Sequence, residues 1–205
     1  MVKWKKKTKK KKEKKKDKGK KDELVVKQIV ISALLEALND LLGKDGKDSI
    51  VKFAGLGDKY LSKNLRPSLV KSLPKSDLVN LSKAMIRLLS WGSKAILLET
   101  GRNFAKYLTP FGYSLDTIAE KLKKWIEGDW EIQIERNEET LQIKILNDPF
   151  HTKKPESGCA IWTGFFEIAA TNSSDEEGLH YKASFITPET IEEKCSIIEL
   201  KQIRN

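Results

Sequence analysis

The chain has 205 residues, of which 39 are basic and 29 are acidic, and its formal net charge is +10. This length is close to that of one ordinary domain. Two cysteines are too few for a disulfide framework. Polar residues interrupt every apolar stretch before it reaches the length of a secretory signal core or a membrane span. We therefore expect a soluble, cytoplasmic protein in a reducing compartment.

Residues 1–21 form a lysine-rich tail that carries all of the excess positive charge. The tail has 14 lysines against Glu13 and Asp17, a net of +12, whereas residues 22–205 have 25 basic and 27 acidic side chains, a net of −2. Trp4 is its one large side chain, so the tail buries too little apolar surface to offset its ordering entropy, and we predict that it is disordered. Two interpretations stay open, a solubilising extension and an electrostatic arm for a polyanion, either nucleic acid or an anionic membrane. Such an arm would use Lys5, Lys6, Lys7, Lys9, Lys10, Lys11 and Lys12.

The part of the chain that follows the tail is predicted to be helical. Asp22–Leu42 has the pattern of a helix that ends at Gly43, and apolar residues cover most of its circumference. Such a helix either lies deep in a core or pairs with a second subunit. Glycines and prolines then divide the next stretch, up to Pro74, into short helical pieces and loops.

Three further helices are predicted before the pattern changes. One begins at Ser76, with Asp77 on its polar face and Leu88 facing inward, and another extends to Leu108. Gly101 lies in the middle of the apolar face of that second helix, where glycine costs about 1 kcal/mol relative to alanine. Its presence there predicts that another element packs closely against the backbone. Ser114 caps the last of these helices.

Strands dominate the remainder of the chain. Residues 130–135 and 141–145 alternate between apolar and polar side chains, which predicts an antiparallel hairpin with one buried face. Leu179–Thr187 and Cys195–Ile203 are predicted as two more strands. Between the two pairs, Cys159–Ala170 is apolar except for Thr163 and Glu167, so we expect a short, almost wholly enclosed helix. Residues 22–205 are thus predicted to form one α+β domain.

Catalytic signatures are absent from the sequence. There is no G-x-G-x-x-G and no C-x-x-C, and the glycines of residues 43–49 have the wrong spacing for a phosphate loop and follow a helix. Cys159 with His151 would be a nucleophile pair only if the fold brought them together. The same two residues with Cys195 and His180 contain no close pair of zinc ligands. Structural cysteines and surface histidines are the simpler interpretation, so we expect a protein that is not an enzyme, with no cofactor named by the sequence.

Three segments resemble a known family, the 4-vinyl-reductase-like or hydrocarbon-binding domain. Leu97–Leu108 is similar to its helix with a Gly-Arg pair, Gly158–Phe166 to its cysteine-led apolar helix, and Lys194–Ile198 to the cysteine that opens its last strand. The chain lacks the further cysteine that the family pattern places near residues 182–184. The resemblance implies helices packed on a four-stranded antiparallel sheet, and kinship with haem-nitric-oxide-binding domains and TRAPP vesicle-tethering subunits. Members are viewed as binders of apolar small molecules or as scaffold proteins, and they often form dimers.

The resemblance and the residues together give three functional hypotheses. The first is a non-catalytic, homodimeric module that binds an apolar or tetrapyrrole-like small molecule. Gly101 would allow close approach, Arg102 would hold a carboxylate by charge-assisted hydrogen bonds, and Gly164 would leave a gap in an aromatic wall. The candidate ligand-binding residues are Gly101, Arg102, Phe104, Cys159, Trp162, Phe165 and Phe166. The second hypothesis is a TRAPP-like scaffold that acts through its surface, with a vestigial cavity. A reductase-associated subunit is the third. For the candidate residues themselves, the simpler alternative is that the aromatic side chains are core and that Arg102 forms a surface ion pair.

Overall fold

The computed structural model describes residues 24–61, 65–89, 94–110, 112–137, 140–150, 155–174, 179–186 and 195–204, with residues 155–158 and 204 described by their backbone alone. Three predictions fall outside these ranges. They are the disordered lysine-rich tail, the surroundings of His151, and the short acidic turn expected between the last two strands.

The described residues form six helices and six strands, and the predicted α+β class is confirmed. In chain order they are β1 (Val25–Lys27), α1 (Gln28–Phe53), α2 (Gly57–Tyr60), β2 (Ser72–Pro74), α3 (Lys75–Leu89), α4 (Lys94–Leu108), α5 (Leu115–Trp125), β3 (Glu131–Arg136), β4 (Thr140–Leu146), α6 (Pro155–Ser173), β5 (Leu179–Ile186) and β6 (Cys195–Arg204). Strands β3 to β6 make the predicted four-stranded antiparallel sheet, in the order β3-β4-β6-β5. Ser114 caps α5 as predicted, because its hydroxyl accepts a hydrogen bond from the Thr117 amide.

The register of the sheet places its buried aliphatic side chains on one face, whereas Leu146, Ile186, Ile197 and Ile203 lie on the other. Ile134 pairs with Ile143, and Ile143 pairs in turn with Ile198. Since alternate residues of a strand share a face, this row continues through its neighbours two positions away. Helix α6 lies against this face, and α4 packs on α6. The opposite face carries Glu131, Gln133, Glu135, Gln142, Lys144, Glu199, Lys201, His180 and Lys182.

The first helix differs from its prediction at its start and agrees with it at Gly43. Residues 25–27 are not helical but form β1, which pairs antiparallel with β2. At the other end Gly43 leaves the helical conformation, with φ 69° and ψ 177°, and a second helical stretch follows it at once. Short strands of three residues carry almost no periodic signal, which is why β1 and β2 were not predicted.

The apolar circumference of α1 is covered by the chain itself. Val30, Ile31, Leu34 and Leu38 are each fully buried, with α4, α3 and α2 packed around them. Of the two placements that the pattern allowed, the structure shows the deep core. A second subunit is therefore not needed to cover this helix.

Two positions in α3 depart from the predicted faces. Asp77 is buried rather than solvated, and its carboxylate accepts hydrogen bonds from the Tyr60 hydroxyl and the Lys59 ammonium group. Leu88 is 41% exposed and does not face inward, whereas its neighbours Ile86 and Leu89 contact the core. A further finding concerns membranes: among the described residues, no helix combines the length and the apolar character that a bilayer crossing requires.

Candidate functional site

Helices α4 and α6 cross at two glycines. A Cβ atom built on Gly101 would lie 2.0 Å from the carbonyl oxygen of Ile161, and one built on Gly164 would lie 2.0 Å from the carbonyl oxygen of Leu98. Each helix therefore rests its backbone directly on the backbone of the other, which only glycine permits. The close approach predicted at Gly101 is present, and its partner is α6. Gly164 does not open a gap between aromatic rings, because its free side faces α4.

The aromatic side chains around this crossing fill the interior. The ring of Phe104 lies 5.3 Å from that of Phe165, and the ring of Trp162 lies 5.0 Å from that of Phe150, measured between centroids. Distances of 4.5–7 Å are typical of aromatic rings in direct contact. We call these six residues the aromatic core, and each is 2% exposed or less: Phe104, Trp130, Phe150, Trp162, Phe165 and Phe166. The predicted wall thus exists, and its rings pack on one another.

Arg102 is held by two carboxylates of the same chain. Its guanidinium group pairs with Glu99 one turn earlier, and its Nη2 lies 2.5 Å from Oε1 of Glu167 on α6. Burial alone would lower the pKa of Arg102, but the hydrogen bond to Glu99 and the charge of Glu167 outweigh it, and the pKa is raised. The side chain is 28% exposed, and its buried Nε makes no hydrogen bond within the described structure.

Glu167 connects this ion pair to the edge of the sheet. Its Oε2 accepts a hydrogen bond of 3.0 Å from the amide of Ala183 in β5, and the hydroxyl of Thr171 accepts one of 3.1 Å from the amide of Tyr181. Both amides lie on an edge strand, where backbone donors have no neighbouring strand to pair with. Arg102 therefore holds the carboxylate that covers the edge of β5.

A buried carboxylate lies beneath the aromatic core. Oδ1 of Asp148 accepts hydrogen bonds of 2.7 Å from the Phe150 amide and from Nε1 of Trp162, and Oδ2 accepts one of 2.7 Å from the hydroxyl of Ser196. Asp148 is 5% exposed, so these donors replace the water that the carboxylate has lost. The sequence predicts only a polar loop around Asp148. An aspartate after a strand, followed by proline, is typical of a turn in which the side chain binds the amide two residues on.

Cys159 lies beside this carboxylate as an inert thiol. Burial raises its pKa from 9.0 to about 12; the hydrogen bonds with Ser196 and Thr163 lower it only in part, and the charge of Asp148 adds to the increase. A thiol with a raised pKa is protonated at neutral pH and is a poor nucleophile and metal ligand. Cys195 is also buried, with 1% of it exposed.

The described residues do not assemble a zinc site. His180 is exposed on the outer face of the sheet, away from the buried Cys159. Within the described ranges, no three side chains among histidine, cysteine, aspartate and glutamate lie where they would hold a metal ion.

Comparison with known proteins finds similarity in structure alone. No family model matches the chain, and a search of curated proteins finds none that is significantly similar. Among solved structures, an oxygen-binding H-NOX domain related to soluble guanylate cyclases is similar over 86% of this chain and 94% of its own, with a TM-score of 0.55 and 13% identity.

Two further H-NOX structures agree with this similarity. A mutant of the T. tengcongensis H-NOX covers 86% of this chain and 97% of its own, with a TM-score of 0.54 and 13% identity. An H-NOX mutant from K. algicida is similar over 87% of this chain and 97% of its own, with a TM-score of 0.50 and 12% identity. At this level of identity the likeness establishes a related fold. The fold that the resemblance implied is thus shared with H-NOX domains, whereas kinship with them and the 4-vinyl-reductase-like assignment stay predictions.

Proposed function

We propose that this chain is a non-catalytic binding module that acts through its surface, as a scaffold does. The observation that carries this proposal is the pair of glycines at the α4–α6 crossing. With Gly101 and Gly164 each in backbone contact with the opposite helix, no ligand enters between the helices unless they move apart. The interior beside the crossing is occupied by the aromatic core.

The state of Arg102 supports the same conclusion. A guanidinium group that is to bind the carboxylate of a ligand has to present its paired N–H donors to it. In this chain Glu99 and Glu167 take those donors, and Glu167 at the same time covers the edge of β5. A ligand carboxylate would have to displace a side chain on which the sheet edge depends.

The H-NOX likeness raises the question of haem, since one of the similar structures concerns haem redox potential and porphyrin distortion. Protein haem is held by an axial histidine, cysteine thiolate, methionine or tyrosine inside an apolar slot. Two of the described candidates fit this poorly, because His180 is exposed on the outer sheet face and the Cys159 thiol has a pKa raised to about 12. The interior beside the α4–α6 crossing is also occupied by the aromatic core.

Spectroscopy of the purified full-length chain tests the proposal. We expect no absorbance above 350 nm after expression with added haem precursor, and no saturable change in tryptophan fluorescence on titration with hemin, protoporphyrin or long-chain fatty acids. Trp130 and Trp162 lie in the aromatic core, so the emission would report a ligand entering there. A saturable response, or a ligand found by mass spectrometry of protein from its own cells, would overturn the surface proposal.

A second candidate is the apolar small-molecule binder, and two observations favour it. The H-NOX domains of related fold include one described as oxygen-binding, and an aromatic interior is the lining that an apolar ligand prefers. In this case α4 and α6 would part, and Gly101, Arg102, Phe104, Cys159, Trp162, Phe165 and Phe166 would line the opening. Homodimer formation stays a prediction for both candidates, and sedimentation of the full chain at several concentrations measures it.

The lysine-rich tail carries a separate proposal, that it binds polyanions without sequence preference. Its net charge of +12 contrasts with −2 for residues 22–205. Each phosphate neutralised on duplex DNA contributes about −0.9 to the slope of log affinity against log salt. Full-length protein and a chain starting at Asp22 should differ on duplex DNA and on anionic vesicles, with the shorter one binding neither. Equal affinity of the two would place the polyanion site in the domain, and no binding by either would make the tail a solubilising extension.

A further inference from the structure

A shallow groove opens between the end of α1 and the solvent face of α3. The apolar part of its floor is made by Ala84, which is buried, and by the ring of Phe53, which is 50% exposed. The volume is about 250 Å³. We call it the α1–α3 groove, and its lining residues are Phe53, Ala54, Asn80, Lys83, Ala84 and Arg87. None of them belongs to the three segments that resemble the hydrocarbon-binding family.

Two cations without carboxylate partners stand along this groove. Lys83 and Arg87 are one helical turn apart on the exposed side of α3, and no ion pair joins either of them to a carboxylate of the described residues. The guanidinium of Arg87 lies 5.4 Å from the centroid of the Phe53 ring, which holds both side chains at the groove. Asp77 is the acidic residue of α3, and it is engaged with Tyr60 and Lys59.

Volume and charge together select the occupant. Pockets that enclose a drug-sized molecule have about 300–1,000 Å³, so this open groove of about 250 Å³ accommodates only one or two side chains. An exposed aromatic ring on an apolar floor is typical of a protein-docking surface. The free cations repel the lysines of the tail and attract carboxylates. Two cations are also few for a nucleic acid, whose binding proteins commonly neutralise about 6–10 phosphates.

We propose that the α1–α3 groove docks an acidic segment of a partner protein. An apolar side chain of that segment packs on Phe53 and Ala84, and carboxylates beside it pair with Lys83 and Arg87. The proposal rests on the surface-binding function and gives it a place on the molecule and a partner chemistry.

Selection from a random peptide library displayed on phage, with the full-length chain as bait, tests this directly. We expect the enriched peptides to share one large apolar residue flanked by aspartate or glutamate. Synthetic copies of the enriched peptides should bind at least about tenfold more weakly to the double variant Lys83→Glu/Arg87→Glu, since the new carboxylates repel those of the peptide. Phe53→Ser should weaken binding too, by removing the apolar floor. The matched control is Lys144→Glu/Lys182→Glu, which makes the same charge change on the outer sheet face and should bind as the parent does.

Each other outcome contradicts a stated part of the proposal. Peptides that bind the Lys83→Glu/Arg87→Glu variant as well as the parent would place docking elsewhere, and surface binding would stand while this site fails. Enrichment of basic or uncharged peptides, or tight binding of single-stranded DNA at the groove, would overturn the partner chemistry. If no peptide is enriched and no partner is captured by the full chain, the site and the proposed function fail together.

Discussion

The α4–α6 crossing and the α1–α3 groove are built in opposite ways. At the crossing two glycines bring backbones into contact, aromatic rings fill the space alongside, and the nearest cation is paired with two carboxylates. At the groove an aromatic ring is half exposed, and two cations have no carboxylate partner among the described residues. The crossing is closed and its cation is paired, whereas the groove leaves an aromatic ring and two cations available to a partner.

This difference separates a strong sequence motif from a binding site. The Gly-Arg pair and the cysteine-led aromatic helix are the most recognisable segments of the chain, and both serve the packing of α4 on α6 and the sheet. The groove offers no motif, because a lysine and an arginine one turn apart on a helix are common on any surface. Glycine, aromatic and cysteine residues in a pattern are therefore equally typical of a tight core and of a ligand pocket.

The largest loss of stability is expected if the α4–α6 crossing is forced apart. Gly101→Ala and Gly164→Ala each place a methyl group within 2.0 Å of a backbone carbonyl oxygen, which cannot rotate away as a side chain would. We expect each to lower the free energy of unfolding by at least about 3 kcal/mol. Urea denaturation followed by circular dichroism measures this.

The control for that experiment is Gly57→Ala. Its Cβ would meet its nearest neighbour, the Cγ of Lys52, at 3.5 Å, which is ordinary van der Waals contact. Since Gly57 is helical, alanine there should be neutral or stabilising by up to about 1 kcal/mol. If Gly101→Ala behaves like this control, the helices do not touch and the case for a closed interior is lost.

Removal of the buried Asp148 carboxylate should have the next largest effect. Asp148→Ala leaves the Phe150 amide, the Trp162 indole and the Ser196 hydroxyl without their acceptor. Buried donors without a partner cost about 1–3 kcal/mol, and we expect a loss near the upper end because three are involved. Asp148→Asn keeps one carbonyl oxygen as an acceptor and should lose clearly less stability. Equal stability of all three proteins in urea denaturation would mean that water satisfies these donors.

Arg102 should contribute to stability in a way that a surface pair does not. Arg102→Leu leaves Glu167 unpaired with a side chain that is 12% exposed, and we expect a loss of about 1–2 kcal/mol. Arg136→Leu breaks a pair with Asp116 in which both side chains are about half exposed, and it should change stability by less than about 0.5 kcal/mol. Thermal denaturation of the two variants side by side tests the contrast. An Arg102 variant as stable as the Arg136 variant would free Arg102 for ligand binding.

The Cys159 thiol provides a test of closure that depends on pH. The pKa of this thiol is about 12 in the folded chain against 9.0 when exposed. Its contribution to the free energy of unfolding is therefore complete below pH 9 and is lost as the pH rises toward 12. Between pH 8 and 10 this amounts to about 1 kcal/mol, which Cys159→Ala should remove from the measured pH dependence. Alkylation of Cys159 by iodoacetamide should be slow at pH 8 and should accelerate only with unfolding. Rapid alkylation of the native chain would show that the interior opens.

The sequence predicts the elements of this fold better than their faces. The period-two alternation in residues 130–145 fixes β3 and β4, and the apolar run from Cys159 predicts an enclosed helix. Asp77 is assigned to the wrong face because helical periodicity records polarity, while its burial depends on Tyr60 and Lys59 from another part of the chain. The close packing at Gly101 follows from the sequence, but its partner Gly164 is 63 residues away, and only the fold brings them together.

The candidate site is predicted less completely than the fold. The aromatic residues are identified correctly as neighbours around α6, since i, i+3 and i+4 spacing puts them on adjoining faces. Whether their rings enclose space or fill it depends on contacts with Phe104 and Phe150, which come from other elements. Asp148 is missed for the same reason, because its acceptor role needs Ser196 from β6.

The smallest effect on stability is expected at the groove, where binding should change most. Lys83 and Arg87 are exposed and make no ion pair within the described structure, and Lys83→Glu/Arg87→Glu gives up only the contact of Arg87 with the Phe53 ring. Surface changes of this kind usually stay within about 0.5 kcal/mol, and we expect the double variant to unfold within that margin of the parent in urea. Peptide affinity should nevertheless fall at least about tenfold, since the repelled carboxylates belong to the partner and not to the fold. A large loss of stability in this variant would mean that the two cations hold the helical layer together, and the contrast between a packed crossing and an available groove would disappear.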